Sequence, residues 1–408
     1  MNQQFDVVII GGGMVGGAFA CALRDSNLKV ALIEAQLPSA PNFAPATVSD
    51  VDMRVSALNR ASEQFLLNIG AWEKMPAARL SAYNKMRIWD GVGTGHIQFD
   101  GQALGEPHMG HIVENRITAQ ALLQTLQQDS QVQLFAPVSV ESIDTIEAHD
   151  GKDESYLVML DNGQMLSTPL IVAADGARSF VRNWAQFETR EWDYDHHALV
   201  CSVQVENNHQ QCAWQRFTED GVLAFLPLAH ENLCSIVWSC PEQKAQELLA
   251  LNTEEFNQTL AREFEHTLGH IIEIGTRVAI PLRQRHAKSY VKNGIVLLGD
   301  AAHTIHPLAG QGVNLGLMDA YVLADEIKMA ITRGLPAQNA QVLARFERRR
   351  MSENLSMMAT MESFKRLFAV QSPGIRWLRN WGMKKVNARG FLKQHLAAQA
   401  MGIERKFR

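Results

Sequence analysis

The chain has 408 residues, 46% of them apolar and 20% charged, and a formal net charge of −5. That length suits two domains sharing an interface, the composition is that of a globular protein that builds a core easily, and the acidic balance gives no reason to expect a nucleic-acid partner. The charge is uneven: residues 361–408 hold 11 Lys and Arg against 2 Asp and Glu, while the rest holds 27 against 41.

Five cysteines, Cys21, Cys201, Cys212, Cys234 and Cys240, match neither a CxxC nor a zinc spacing. No metal centre is expected, and the cysteines read as reduced thiols acting as small apolar residues. Met1–Asp6 carries no Lys or Arg, and no run of about 20 apolar residues occurs. Neither a signal peptide nor a spanning helix is expected, which points to the cytoplasm.

In chain order, Phe5–Ile10 is a β-branched run ending in three glycines, Met14–Arg24 reads as a helix and Lys29–Glu34 as a strand. This is the opening of a dinucleotide-binding βαβ unit. Pro38–Val48 has no apolar period and reads as a loop. Ser62–Ile69 and Ile117–Gln128 read as helices, Met86–Asp100 as a strand pair, and Val138–Ile146 and Tyr156–Leu160 as strands. Leu170–Ala174 is a buried strand leading into Asp175-Gly176. Residues from about 190 to 285 are β-rich with one helix near Glu242–His266. Ile295–Leu298 is a strand running into Gly299-Asp300, Val313–Arg333 is a helix, and the chain is largely helical from Ala340.

The chemistry-bearing signal is Gly11-Gly12-Gly13-Met14-Val15-Gly16, a GxGxxG with a strand before it and a helix after it. Gly11 permits the tight turn, Gly13 lets a pyrophosphate approach the backbone, and Gly16 lets the helix pack on the strand. The helix start attracts the phosphates, and Glu34, closing the second strand, is placed to bind ribose hydroxyls. The choice between NAD(P) and FAD falls to FAD. No second GxGxxG follows, and two further turns after apolar strands, Ala174-Asp175-Gly176-Ala177-Arg178-Ser179 and Leu298-Gly299-Asp300-Ala301-Ala302-His303, suit a larger cofactor. Asp300 could accept from ribityl hydroxyls, and the amides of Gly312, Val313 and Asn314 could stabilise charge on the pyrimidine end of a reduced flavin.

With these three turns the sequence resembles the flavoprotein aromatic hydroxylases of the para-hydroxybenzoate hydroxylase type, over nearly its whole length. The stretches Asp52–Asn59, Gly110–Asn115, Trp192–Ala198, Leu223–Leu228 and Gly299–Gly316 look like the ubiquinone-biosynthesis hydroxylases within that group, most of all the bacterial polyprenyl-phenol hydroxylase of the early oxidative steps. The resemblance implies an α/β fold: a Rossmann-like FAD-binding domain with an inserted β-rich substrate domain and a helical C-terminus. The boundaries expected are 1–80, 106–182 and 283–345 for the FAD-binding parts, 81–105 for substrate-domain strands, 183–282 for the β-rich substrate domain, and 346–408 for the basic helical region.

It also implies an FAD-dependent monooxygenase that hydroxylates a polyprenylated phenol in ubiquinone biosynthesis with NAD(P)H and O₂, through a flavin hydroperoxide. NAD(P)H would bind near Asp175 and Arg178. By matching motifs, Gly11, Gly13, Gly16 and Glu34 are carried over to the ADP part of FAD, Arg54 and Asn115 to the pyrophosphate or ribityl region, Val138 to adenine, Asp300 to the ribityl chain, and Gly310, Gln311, Gly312, Val313 and Asn314 to the isoalloxazine ring. Asp175 completes the set. Two alternatives share the N-terminal turn: an FAD-dependent oxidase or dehydrogenase, and a non-catalytic FAD-binding scaffold.

His303, His306, His196 and His197 are acid–base candidates, with His303 foremost because it adjoins the flavin turn; a role in ordering the loop stands beside catalysis. Pro307 is expected on the substrate side of the flavin. Phe217, Leu223, Phe225, Leu226 and Pro227 are expected to wall a lipophilic aromatic substrate, with plain core as the other reading of that strand. Residues 361–408 mix basic residues with Trp377, Leu378 and Trp381, and could lie on an anionic membrane surface, bind other ubiquinone-biosynthesis proteins, or be a solvated helical face. A homo-oligomer is a further possibility.

Overall fold

A computed structural model describes residues 2–39, 47–127, 131–147, 154–304, 311–370, 372–388 and 390–403. The opening unit is strand Val7–Ile10 (β1), helix Met14–Ala22 (α1) and strand Val30–Ile33 (β2). Strand Val55–Asn59 (β3) and helix Arg60–Asn68 (α2) follow, then strands Ser81–Tyr83 (β4), Lys85–Asp90 (β5), His96–Asp100 (β6) and Gly110–Glu114 (β7), helix Asn115–Leu126 (α3) and strand Val132–Phe135 (β8). After strands Val140–Ile146, Ser155–Leu160 and Met165–Thr168 come Ile171–Ala173 (β9) and the short helix Phe180–Trp184 (α4). The β-rich part holds Thr189–Val205 (β10), Cys212–Phe217 (β11), Val222–Pro227 (β12), Leu233–Pro241 (β13), helices Glu242–Ala250 (α5) and Thr253–Glu263 (α6), and Val278–Ala287 (β14). The sequence predicts one helix over the stretch that forms α5 and α6; Asn252 splits it by capping α6 through a reciprocal box with Glu255. Val291–Lys292 (β15), Ile295–Leu297 (β16), His303–Thr304 (β17) and helices Gln311–Ile331 (α7), Ala340–Ala369 (α8), Pro373–Ala388 (α9) and Gly390–Met401 (α10) complete the chain.

β16, β9, β1, β2 and β8 lie side by side, all parallel, with β15 antiparallel on the edge. Their apolar runs are continuous rather than alternating because both faces are covered: every residue of β1, β2, β9 and β16 is buried. α1, α3 and α7 supply packing against this sheet through Phe19, Leu122 and Leu323.

The second sheet is ordered β17, β14, β10, β13, β12, β11, β5, β6. Its strands alternate, and the register assigns each side chain to a face. Leu199, Cys201, Trp214, Leu223, Phe225, Ile236 and Trp238 point to one face, where Leu248, Phe256, Leu260 and Phe264 from α5, α6 and the turn after them cover them. Cys201, Cys212, Cys234 and Cys240 join this core, and all five cysteines are buried and free. Burial pushes the Cys201 and Cys212 thiols up to about 12 and that of Cys240 to about 11, so they stay protonated at neutral pH. The other face carries Ile88, Gln215, Ala224, Val237, Val200 and Val278 in one register row.

Phe225 is 1% exposed and its ring stacks on Phe264 at 3.8 Å. Phe225→Ala is expected to cost about 3–5 kcal/mol of stability by leaving a cavity under α6, read as a lower urea midpoint, with the Michaelis constant for the aromatic substrate unchanged.

Candidate active site

Ala173 of β9 is in register with Ile10 of β1 and Leu297 of β16, Ile10 with Ile33, and Ile33 with Phe135. The ladder continues to the last residue: Leu298 N–H donates to Ala173 O (2.9 Å), Ala174 N–H to Ile10 O (2.8 Å), Gly11 N–H to Ile33 O (2.9 Å) and Glu34 N–H to Phe135 O (2.9 Å). The segments that follow therefore leave one edge in the spatial order Asp300, Asp175, Gly11, Glu34, Val138. Five strands at the usual spacing span about 20 Å, and the carboxyl ends of parallel strands are where such sheets hold ligands.

Gly11 has φ +101°, and a Cβ there would stand 2.6 Å from the Ala174 carbonyl carbon. Glycine at this turn is demanded by the protein itself. Gly13 differs: it starts α1 with no side-chain cap, and a Cβ would meet nothing within 4 Å. Open space thus faces the uncapped amides of a helix start, which is the shape and polarity a diphosphate needs. At Gly16 a Cβ would collide with the Gly11 carbonyl oxygen. Glu34 accepts from Gly12 N–H (2.6 Å) and Gln36 N–H (2.8 Å), so it braces the glycine turn. Val138 N–H donates to the Glu34 carbonyl (3.0 Å), which brings Val138 beside Glu34 but engages its amide.

Asp175 accepts from Val181 N–H through Oδ2 (3.2 Å), while its buried Oδ1 has no partner among the described residues. Burial pushes its carboxyl up. Solvent reaches Asp300, yet protein crowds it closely enough to raise its carboxyl, with His303 and Arg54 pulling the other way. Arg54 therefore stands near Asp300; its carbonyl accepts from Asn115 N–H (2.9 Å), and Ser56 Oγ donates to Asn115 Oδ1 (2.6 Å). The orphaned Asp175 oxygen, the open cradle at Gly13 and the row of turns fit an FAD.

α7 brings the third motif into the same place. A Cβ at Gly316 would lie 2.7 Å from Val15 Cγ2 and 3.2 Å from Gly299 Cα, so α1, α7 and the Gly299 turn touch one another. Asn314 turns its side chain away from the edge: it accepts from Asn59 N–H (3.0 Å) and Ser62 Oγ (2.7 Å) and donates to Ala57 O (2.8 Å). That stapling leaves Gly312, Val313 and Asn314 to act through the backbone of the first helical turn. His306, Pro307 and Gly310 lie outside the described residues, as does the side chain of Gln311, the first residue of α7.

The expected substrate wall needs correction. Leu223 and Phe225 lie in the core beneath α5 and α6, and Pro227, in register with the buried Cys234, points the same way. Phe217 is on the other face but buried at 8%, its ring stacked on Phe368 of α8 at 3.8 Å. The residues of β12 on the opposite face are Val222, Ala224 and the half-buried Leu226, beside a patch of Ala198, Val200, Val237, Ile280 and Leu282. The alternation of large and small residues over 222–227 carried this information, but bulk drew attention to the wrong phase. This face looks toward the nucleotide-binding part: Ser202 Oγ donates to Val48 O (2.7 Å), and β17, three residues after Asp300, pairs with the end of β14.

His303 is 1% exposed, and its Nε2 lies 2.6 Å from Asp319 Oδ2, while Nδ1 has no partner among the described residues. His196 Nε2 meets the Asp220 carbonyl (3.1 Å), and His197 lies in β10 without a place at the turns. The sequence reading missed Asp319, Arg350 and a second cluster in which Glu63, His108 and His111 bring ligand-type atoms within 4.8 Å of one another. Arg60 already pairs with Glu63 (2.6 Å) there and lies 2.9 Å from His108 Nε2, so the cluster is a charge network.

Gly13 and Gly11 should behave oppositely. Gly13→Ala is expected to leave the flavin-free chain within about 0.5 kcal/mol of the parent, whereas Gly11→Ala loses about 2 kcal/mol or more to the strained turn and the collision with Ala174. Gly13→Asp adds a negative charge at the helix start and should weaken FAD binding at least about tenfold; urea titration and fluorescence quenching of FAD read the two effects.

A family model described as FAD binding domain matches residues 4–355. The chain is 37% identical over 402 residues to 3-demethoxyubiquinol 3-hydroxylase of Escherichia coli (strain K12), covering 98% of this chain and 100% of that one. It is 34% identical over 402 residues to ubiquinone hydroxylase UbiL of Rhodospirillum rubrum, covering 98% and 90%, and 31% identical over 440 residues to the mitochondrial ubiquinone biosynthesis monooxygenase COQ6 of Homo sapiens, covering 98% and 93%. Among solved structures, p-nitrophenol 4-monooxygenase PnpA of Pseudomonas putida superposes with a TM-score of 0.77 over the whole of both chains at 18% identity, which speaks for the fold. With a family match across most of its length and relatives aligned end to end, this chain belongs to the FAD binding domain family of flavoprotein monooxygenases.

Proposed function

We propose that this protein hydroxylates the electron-rich ring of a polyprenylated phenol or quinol in ubiquinone biosynthesis, using FAD, NAD(P)H and O₂. The observation that carries the reading is the single edge on which the Gly11, Asp175 and Asp300 turns emerge from adjacent strands. The relatives' names, 3-demethoxyubiquinol 3-hydroxylase and ubiquinone biosynthesis monooxygenase, supply the substrate class.

FAD, when bound, supplies the redox chemistry with NAD(P)H and O₂. The chain binds and orients. The uncapped amides at the start of α1 beside Gly13 would hold the diphosphate, Glu34 would take the ribose hydroxyls, and Arg54 and Asn115 would contact the pyrophosphate or ribityl region. Asp300 accepts from the ribityl chain. The backbone of Gly312 and Val313, in the first turn of α7, would stabilise charge on the pyrimidine end of a bound flavin. Asp175 and Arg178 would meet the nicotinamide cofactor. Ala198, Val200, Ala224 and Val237, on the sheet face turned toward the nucleotide-binding part, would form the apolar wall beside the aromatic ring.

A lipophilic substrate calls for access to lipid. No described helix is long and apolar enough to cross a membrane. α9 suits the surface of one because its apolar side faces away from the protein. Its inward positions are Arg379, 5% exposed and paired with Asp90 (2.6 Å), then Asn380 and Met383. Its outward positions are Trp377 at 67% exposure, Leu378 at 54% and Trp381 at 47%, with Lys384 and Lys385 beside them. Aromatic and aliphatic groups flanked by lysines bind an anionic bilayer interface.

With FAD-loaded protein and a short-chain demethoxyquinol, NAD(P)H consumption should depend on the aromatic compound, and the product should gain one oxygen derived from O₂. Substrate oxidation without oxygen incorporation would mean an oxidase or dehydrogenase; flavin binding without turnover would mean a scaffold. Trp377→Ser with Trp381→Ser should cut sedimentation with anionic vesicles at least about fivefold while FAD content holds, and undiminished sedimentation removes α9 from the membrane contact.

A further inference from the structure

The carboxylate of Asp319, on α7, is wholly buried and receives four donors. Gly299 N–H (3.1 Å) and His303 Nε2 (2.6 Å) come from the turn after β16, and Arg350 Nε (2.7 Å) and Asn354 Nδ2 (3.2 Å) come from α8. Burial by itself would raise this carboxyl, but the charges of His303 and Arg350, with their hydrogen bonds, hold it well below the usual carboxylate range. Arg350 is equally enclosed and also meets Asn354 Oδ1 (2.8 Å) and Glu353. Tyr290 extends the network, its hydroxyl between Asn354 Nδ2 (3.2 Å) and His286 Nε2 (2.9 Å).

Such a cluster is a poor way to join two helices. Desolvating a buried ion pair offsets most of its attraction, and apolar residues of similar volume do the same work as well or better. Leu315, Met357 and Met358 already provide an apolar contact between α7 and α8. What the carboxylate adds is direction. Two of its donors flank Asp300 in sequence, and its own helix begins with Gly312–Asn314. One buried anion thus fixes the Asp300 turn against the helix start that shares the site with it. Because Asp319 is an anion, the His303 nitrogen facing it must carry hydrogen, which orients the ring and leaves Nδ1 as the unpartnered end.

We propose that Asp319 is a positioning residue for the flavin site: acting through Gly299 and His303, and anchored from behind by Arg350, it sets where Asp300 stands relative to the first turn of α7. The proposal rests on the FAD reading above. It makes His303 a donor to Asp319 first, so a side chain that can donate from the same reach should replace it.

The test uses the full chain with Asp319→Asn, His303→Gln and His303→Leu. Glutamine can place an N–H where His303 Nε2 stands; leucine fills the space without donating. His303→Leu and Asp319→Asn should weaken FAD binding about tenfold or more, while His303→Gln stays within about threefold. Asp319→Asn should also raise the flavin midpoint potential, since a negative charge that opposes reduction is lost. In flavin-free protein, hydrogen exchange should quicken at 299–304 and at the start of α7 in the Leu and Asn variants, and not in the Gln variant. Wild-type affinity, potential and exchange in Asp319→Asn overturn the proposal, as does a Gln variant as impaired as the Leu variant. If Asp319→Asn fails to fold, the Gln and Leu pair decides. If the wild type retains no FAD, the FAD reading falls, and exchange still decides whether Asp319 positions the turn.

Discussion

The backbone of Gly11 rests against the carbonyl of Ala174, closer than any side chain would permit. That approach brings the end of β1 to the end of β9, and the same ladder carries β16 alongside. Turns separated by more than a hundred residues thereby share one edge. α1 and α7 close over it because Gly16, Gly299 and Gly316 lack the side chains that would hold them apart. The start of α1, the orphaned carboxylate oxygen of Asp175 and the Asp300 carboxyl come to one edge through backbone proximity.

The two faces of the large sheet carry different residues. Aromatic and long aliphatic residues go to the face under α5 and α6, where Phe225, Trp238 and Phe264 are almost fully buried. The opposite face carries Ala198, Val200, Ala224 and Val237, of which Ala198 and Val200 are buried beside Leu282.

α8 joins these parts mechanically. Near its middle, Arg350 and Asn354 meet Asp319 behind the Asp300 turn, and nearer its end Met361 and Phe368 pack on Phe217 and Val222 of the large sheet. α9 then returns across β5 and β6 with Arg379 buried against Asp90 and its tryptophans outward. α8 therefore links the Asp300 turn to the large sheet and leads into α9.

The sequence by itself determined the elements whose signal is local. The GxGxxG turn, the acid at Glu34 and the two Asp-bearing turns were legible because glycine demand and strand composition act over a few residues. The basic tail and the apolar, reduced character of the cysteines were legible from composition. Tertiary structure decided what depends on phase and on distant partners. Which face each residue of β12 joins follows from register with β11 and β13, so Leu223, Phe225 and Pro227 turn toward α5 and α6 and Ala224 toward the opposite face. Asn314 proved to staple α7 to β3 and α2 through its side chain. The importance of Asp319 was invisible in the sequence, because a lone acid on a helix gains meaning only when residues 299, 303, 350 and 354 converge on it, and that convergence is a property of the folded chain.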